Sequence, residues 1–120
     1  MPKVKVPSKI KELVYRAMQE NIALPMSQRA SYKDGANNKR VPGTGIRTAR
    51  RLLSGAVDRE QLELMRAWFA RHGDSEKEKE ARKDRTSKAS RAWRLWGGSL
   101  GRQWAESTLR DMEREDKKMR

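Results

Sequence analysis

Asp58-Arg59-Glu60-Gln61-Leu62-Glu63-Leu64-Met65-Arg66-Ala67-Trp68-Phe69-Ala70-Arg71-His72-Gly73 is the stretch that decides the fold. Asp58 and Gln61 stand at capping-box spacing, so an N-terminus is marked. Leu62, Met65, Phe69 and His72 then recur at three- and four-residue intervals, flanked by Leu64 and Trp68, and Gly73 supplies a stop. The spacing predicts an amphipathic helix over 58–72. Such an apolar stripe has to be buried against other elements.

Upstream, Ile46, Ala49, Leu52 and Leu53 form the inner face of a short helix over about 45–54, stopped by Gly55, with Arg47, Arg50 and Arg51 on the outer side. Ile10, Leu13, Val14, Ala17, Met18 and Ile22 predict a helix over 8–22, capped by Ser8, ended by Pro25 and preceded by a loose basic arm at 1–7. Downstream, Ala89, Ala92, Trp93 and Trp96 predict a helix over 88–96, broken by Gly97-Gly98. Trp104, Ala105, Thr108, Leu109 and Met112 predict a last one over 99–115, capped by Ser99. Residues 74–90 are charged and lack a stripe, which fits a solvated helix or a flexible linker. Residues 23–45 show no period and read as a long basic loop, functional or disordered. No run alternates as a strand does.

The expectation is therefore an all-α protein: a small domain of about five helices with a basic, partly flexible N-terminal arm and loop. Its organisation reads as a basic amphipathic helix plus loop over 1–45, a compact helical domain over 46–115 and a frayed tail over 116–120.

Composition agrees with a small core. Among 120 residues, 38% are charged and 35% hydrophobic, and only 18 are Leu, Ile, Val or Phe. Four Trp and six Met supply apolar volume that those residues do not. The chain has no Cys and one His, which excludes disulfides, Cys nucleophiles, thiolate zinc sites and iron–sulfur clusters. No apolar run approaches the length of a membrane span, and Met1-Pro2-Lys3-Val4-Lys5 is too polar for a signal peptide. A soluble, intracellular protein is expected.

The charge is unevenly placed. The net charge is +13, and residues 1–57 hold twelve Lys/Arg against three acids, a net of +9. A positive field of this size recruits polyanions, nucleic acid above all, through phosphate neutralisation and counterion release. Lys33, Lys39, Arg40, Arg47, Arg50 and Arg51 are the expected contact cluster, with duplex DNA favoured over RNA, no strong sequence readout, and residues 23–45 ordering on the duplex. The expected function is non-enzymatic nucleic-acid binding, with no cofactor and no metal.

Other constellations give competing readings. Two helices flanking Ser54-Gly55-Ala56-Val57 suggest a helix-turn-helix, but Arg51 stands where a small residue belongs. The second helix is apolar and neutral, so a hairpin packed inward with Arg outward is preferred. Lys39-Arg40-Val41-Pro42-Gly43-Thr44-Gly45-Ile46-Arg47 enters a helix start and could cradle a phosphate; an ordinary turn with helix-starting glycines is the favoured alternative. It lacks the lysine of a P-loop, so nucleotide hydrolysis is not indicated. Trp68, Trp93, Trp96 and Trp104 could stack on bases, but their helical spacing favours core use, with Trp96 the best candidate for exposure. His72 reads as a helix-end cap, since no nucleophile motif accompanies it.

Three stretches carry a resemblance: Ala49-Arg50-Arg51-Leu52-Leu53-Ser54-Gly55, Leu64-Met65-Arg66-Ala67-Trp68-Phe69-Ala70-Arg71-His72, and Ala92-Trp93-Arg94-Leu95-Trp96-Gly97-Gly98 with Gly101 and Trp104-Ala105 after it. Together they resemble a family of small proteins of tailed bacteriophages, over roughly residues 44–106. Family members often carry an acidic residue after the glycine pair, where this chain has Ser99. The resemblance implies a phage origin and a place in the cytoplasm of an infected bacterium, or in the virion. It brings no activity and no functional residue.

Two alternatives come from other classes. One is a phage protein-interaction module that binds host transcription or replication machinery, or a virion component, with Trp96 and Arg94 at the partner interface. The other is a small metal-dependent nuclease, which needs converging carboxylates.

Overall fold

The computed structural model describes residues 2–119. In chain order the elements are β1 (Val4–Lys5), α1 (Ser8–Ile22), β2 (Tyr32–Asp34), β3 (Arg40–Pro42), α2 (Thr44–Leu53), β4 (Ala56–Val57), α3 (Arg59–Gly73), α4 (Glu76–Arg82), α5 (Lys88–Leu95) and α6 (Gly98–Lys118). The protein is a small all-α domain with two minor antiparallel ribbons.

The deciding helix forms where its stripe predicts. Asp58 caps α3, its side chain accepting from the Gln61 N–H at 2.9 Å. Leu62, Met65 and Phe69 are fully buried, chiefly against α6, which returns Ala105 and Leu109. α1 contributes Ile10, Val14 and Ala17 to the same core and packs on α2, α5 and α6. α2 contributes Ile46, Ala49 and Leu52. The charged stretch after Gly73 starts with a short solvated helix, α4, capped by Ser75 and burying no residue.

Several expectations are corrected. The arm at 1–7 is not loose: Val4 and Lys5 pair with Val57 and Ala56, and Val6 is fully buried. Ser8 does not cap α1; Pro7 holds that position, and its carbonyl accepts from Ile10 and Lys11. The segment 23–45 contains a hairpin, β2–β3, which pairs Tyr32 with Pro42, Lys33 with Val41 and Asp34 with Arg40. Its strands are three residues each, too short to show alternation in sequence. Gly98, rather than a capping Ser99, starts α6, which continues to Lys118, three residues beyond the expected end. Arg120, in the expected frayed tail, and Met1 lie outside the described residues.

The glycine pair breaks the helix where expected and also turns the chain. Gly97 and Gly98 have φ of 107° and 64°, the left-handed region that favours glycine. The chain therefore reverses at once into α6, and Gly101 passes so near that a Cβ there would lie 2.9 Å from the Trp96 carbonyl oxygen. Trp96, the best candidate among the tryptophans for exposure, is turned inward and only 2% exposed. Its ring stacks on Trp68 at 4.6 Å between centroids and 10° between planes.

Candidate nucleic-acid interface

The geometry of α2 follows from its sequence period. Gly45, Ile46, Thr48, Ala49 and Leu52 are buried, which turns Thr44, Arg47, Arg50, Arg51 and Ser54 outward. At about 100° per residue these five positions fall within a single arc of the helix. The three arginines expected to face outward do so.

The hairpin stands immediately upstream and delivers the chain into α2 through Gly43, whose N–H donates to the Ser31 carbonyl at 2.7 Å. Its base is clamped to α1 by Asn21, fully buried, which donates to the Ala30 carbonyl at 3.0 Å and accepts from the Ala30 N–H at 2.8 Å. Lys33, Lys39 and Arg40 are exposed on the ribbon. Arg40 donates to the Tyr32 carbonyl at 3.0 Å and pairs with Asp34 at 3.6 Å. The tip turns at Asn37 and Asn38, both at positive φ, where asparagine is tolerated.

The six expected residues thus lie on two adjoining elements, but they are not equivalent. Lys33, Lys39, Arg47 and Arg50 have no ion-pair partner among the described residues. Arg51 donates to Gln61 Oε1 at 2.7 Å, while Gln61 Nε2 donates to Thr48 Oγ1 at 3.2 Å. That chain of bonds ties α2 to the start of α3 and holds the Arg51 guanidinium in place. Beside it lies a groove of about 470 Å³, walled by Lys3, Arg51, Ser54 and Leu64, with Asp58 and Glu60 at its acidic edge. Lys3 extends the basic surface, and sequence reasoning missed it. Its position depends on the β1–β4 pairing, which two-residue strands do not announce.

Several cations of the second half are paired within the chain. Arg59 pairs with Asp116 at 2.8 Å and Glu63 at 3.3 Å, Arg66 with Glu113 at 3.2 Å, and Arg102 with Glu106 at 3.2 Å. The hydrogen bond from Arg59 to Asp116 raises the guanidinium above its ordinary pKa, against a smaller opposing effect of burial. Arg94 is 14% exposed at its side chain and pairs with Glu20. The Arg94 hydrogen bond is the main reason the Glu20 carboxyl sits below its ordinary pKa; burial opposes it, and Arg85 adds to it. Trp96 and Arg94, the expected partner contacts, are therefore a buried ring and a largely covered ion pair.

The aromatic set is committed to packing. Trp68 has Trp96 stacked at 4.6 Å and His72 at 4.6 Å with a 34° tilt. Trp93 meets Phe69 edge-on at 4.9 Å and lies 4.0 Å under the Arg82 guanidinium. Trp68 is thus already engaged by two neighbouring rings. His72 Nδ1 lies 2.6 Å from Glu78 Oε1, so it links α3 to α4. The end of α3 is capped by Arg82, which donates to the carbonyls of His72 and Gly73 at 3.0 and 3.2 Å. Among the described residues, no three His, Asp or Glu side chains converge in a way that could hold a metal ion. Among the described residues, no helix is long and apolar enough to cross a membrane.

Comparison of the chain with known protein families, with curated proteins and with solved structures finds no match.

Proposed function

We propose that this protein is a non-enzymatic nucleic-acid-binding protein that holds duplex DNA by its phosphates, through the outer arc of α2 and the β2–β3 ribbon. The observation that carries the reading is the distribution of ion pairs. Arg59, Arg66, Arg94 and Arg102 pair with carboxylates of the same chain, whereas Lys33, Lys39, Arg47 and Arg50 stand together on adjoining exposed elements with no such partner among the described residues. Unpaired cations on adjoining exposed elements are what a phosphate backbone displaces counterions to reach. A binder of this kind positions itself by charge and reads sequence weakly. In the setting that the phage resemblance implies, it acts on DNA inside an infected bacterium.

The test is a fluorescence-anisotropy titration of labelled duplex DNA at salt concentrations from about 50 to 200 mM. If the four unpaired side chains each neutralise one phosphate, log K falls against log salt with a slope of about −3.6, or about 150-fold over that range. Arg47→Ala with Arg50→Ala halves the slope to about −1.8. Unrelated duplexes bind alike. No binding at 50 mM, or an unchanged slope in the double variant, overturns the assignment and leaves a protein partner as the leading reading.

A further inference from the structure

A separate cleft of about 260 Å³ opens at the start of α2, bounded by α3, α4 and α5. Three kinds of hydrogen-bond donor meet there. The first is the opening turn of α2, whose N-cap is Gly43, so no side chain caps its free N–H groups. The second is the indole N–H of Trp96. This residue is 2% exposed and lines the cleft, and a Cβ on Gly45 would lie 3.2 Å from its Nε1. That N–H finds no acceptor among the described residues and is open to the cleft rather than sealed in the core. The third is Ser31 Oγ, which would stand 2.2 Å from the same added Cβ and also lacks a partner. Gly45 is thus what keeps the helix turn open to both groups.

We infer that this cleft is an oxyanion site for a phosphate group, held by the Trp96 N–H, the Ser31 hydroxyl and the first amides of α2. The donors are convergent and none is an acceptor alone, which selects an anion over a cation. The helix start adds its positive end. Arg82 on the far wall contributes a fixed positive charge without leaving the α3 carbonyls it caps. Glu78, the one carboxylate in the lining, has Oε1 engaged by His72 at 2.6 Å. The phosphate is either that of a nucleic-acid backbone or a small phosphate in solution. The inference stands on the cleft itself and survives failure of the DNA reading.

The experiment is an amide and indole NMR titration of the full chain with inorganic phosphate, with chloride at matched ionic strength as control. Trp96 is assigned by its contact to the Gly45 α-protons. The expected result is a saturable downfield shift of the Trp96 indole proton and of the Thr44, Gly45 and Ile46 amides, absent with chloride. Ser31→Gly removes the hydroxyl at a residue with φ of 64°, where glycine fits without strain, so the fold is retained. It weakens phosphate binding about tenfold, as expected for one hydrogen bond to a charged oxygen. A second titration uses duplex DNA. If DNA moves the same four signals, the occupant is a backbone phosphate; if only inorganic phosphate does, it is a small phosphate. If neither moves them, or if Ser31→Gly binds phosphate as well as the parent, the site is refuted, whatever the anisotropy shows.

Discussion

Asn21→Ala removes a fully buried side chain that fastens the base of the basic ribbon to the helical core. Asn21 is fully buried and Ala30 is 2% exposed, so both hydrogen bonds, at 3.0 and 2.8 Å, lie away from water. Truncation leaves an N–H and a C=O of Ala30 without partners. A buried unsatisfied group costs about 1–3 kcal/mol, so the pair costs about 2–6 kcal/mol. Water entering the vacated space recovers part of that, which places the expected loss near 3 kcal/mol. A domain of this size has roughly 5–15 kcal/mol in all, so the midpoint of urea unfolding should move by a large fraction while the slope stays unchanged. Trp fluorescence reports the transition, since Trp68, Trp93 and Trp96 surround the core. Hydrogen exchange adds a local reading: the Ala30 amide loses its protection even where the global fold persists. A destabilisation below about 1 kcal/mol, with Ala30 still protected, would refute the reasoning.

Three further outcomes follow from the same structure. Gly97→Ala places a Cβ 2.9 Å from the Gly101 Cα at a φ of 107°, and should cost at least about 1–3 kcal/mol in backbone strain alone, measured by chemical denaturation. Asp58→Ala removes the cap of α3 and should cost about 1 kcal/mol, with Asp58→Asn recovering most of it. The Glu20 carboxyl is held below its ordinary value of 4.5, so its ion pairs stabilise the fold fully above about pH 4.5, and that contribution disappears as pH falls through the lowered folded value. Glu20→Gln is therefore less stable than the parent at neutral pH, and the gap closes on acidification; a gap that stays constant from neutral pH into the acid range contradicts the pairing with Arg94 and Arg85.

The helices were legible because each carries its own period. Leu62, Met65 and Phe69 mark α3, and Ile46, Ala49 and Leu52 mark α2, so the outward arc of Arg47 and Arg50 could be read directly. What sequence reasoning missed depends on distant partners. The ribbon is set by Asn21 clamping Ala30, and nothing in a polar helical residue announces that role. β1 becomes a strand only because Ala56 and Val57 lie alongside. Trp96 was misplaced because a Gly-Gly pair signals a helix end without saying which way the chain turns; positive φ at both glycines sends the ring inward. Arg51 reads as one more outward cation, yet Gln61 claims it from another helix. The donor cluster at the α2 start was half visible: the glycines stood out, but the indole from α5's end did not.

The way α1 is held has a consequence for synthesis on the ribosome. Its buried face rests on α5 and α6, and Arg94, Arg91 and Lys88 reach back to Glu20, Gln28 and Ser27. Those partners lie 61–74 residues further along the chain, so when α1 is made only α2 is near enough in sequence to cover part of its apolar face. The half of the chain with net charge +9 therefore stays incompletely packed until α5 and α6 follow. Packing of α1 is completed by α5 and α6, and losing them would leave the basic half without part of the surface that shapes it.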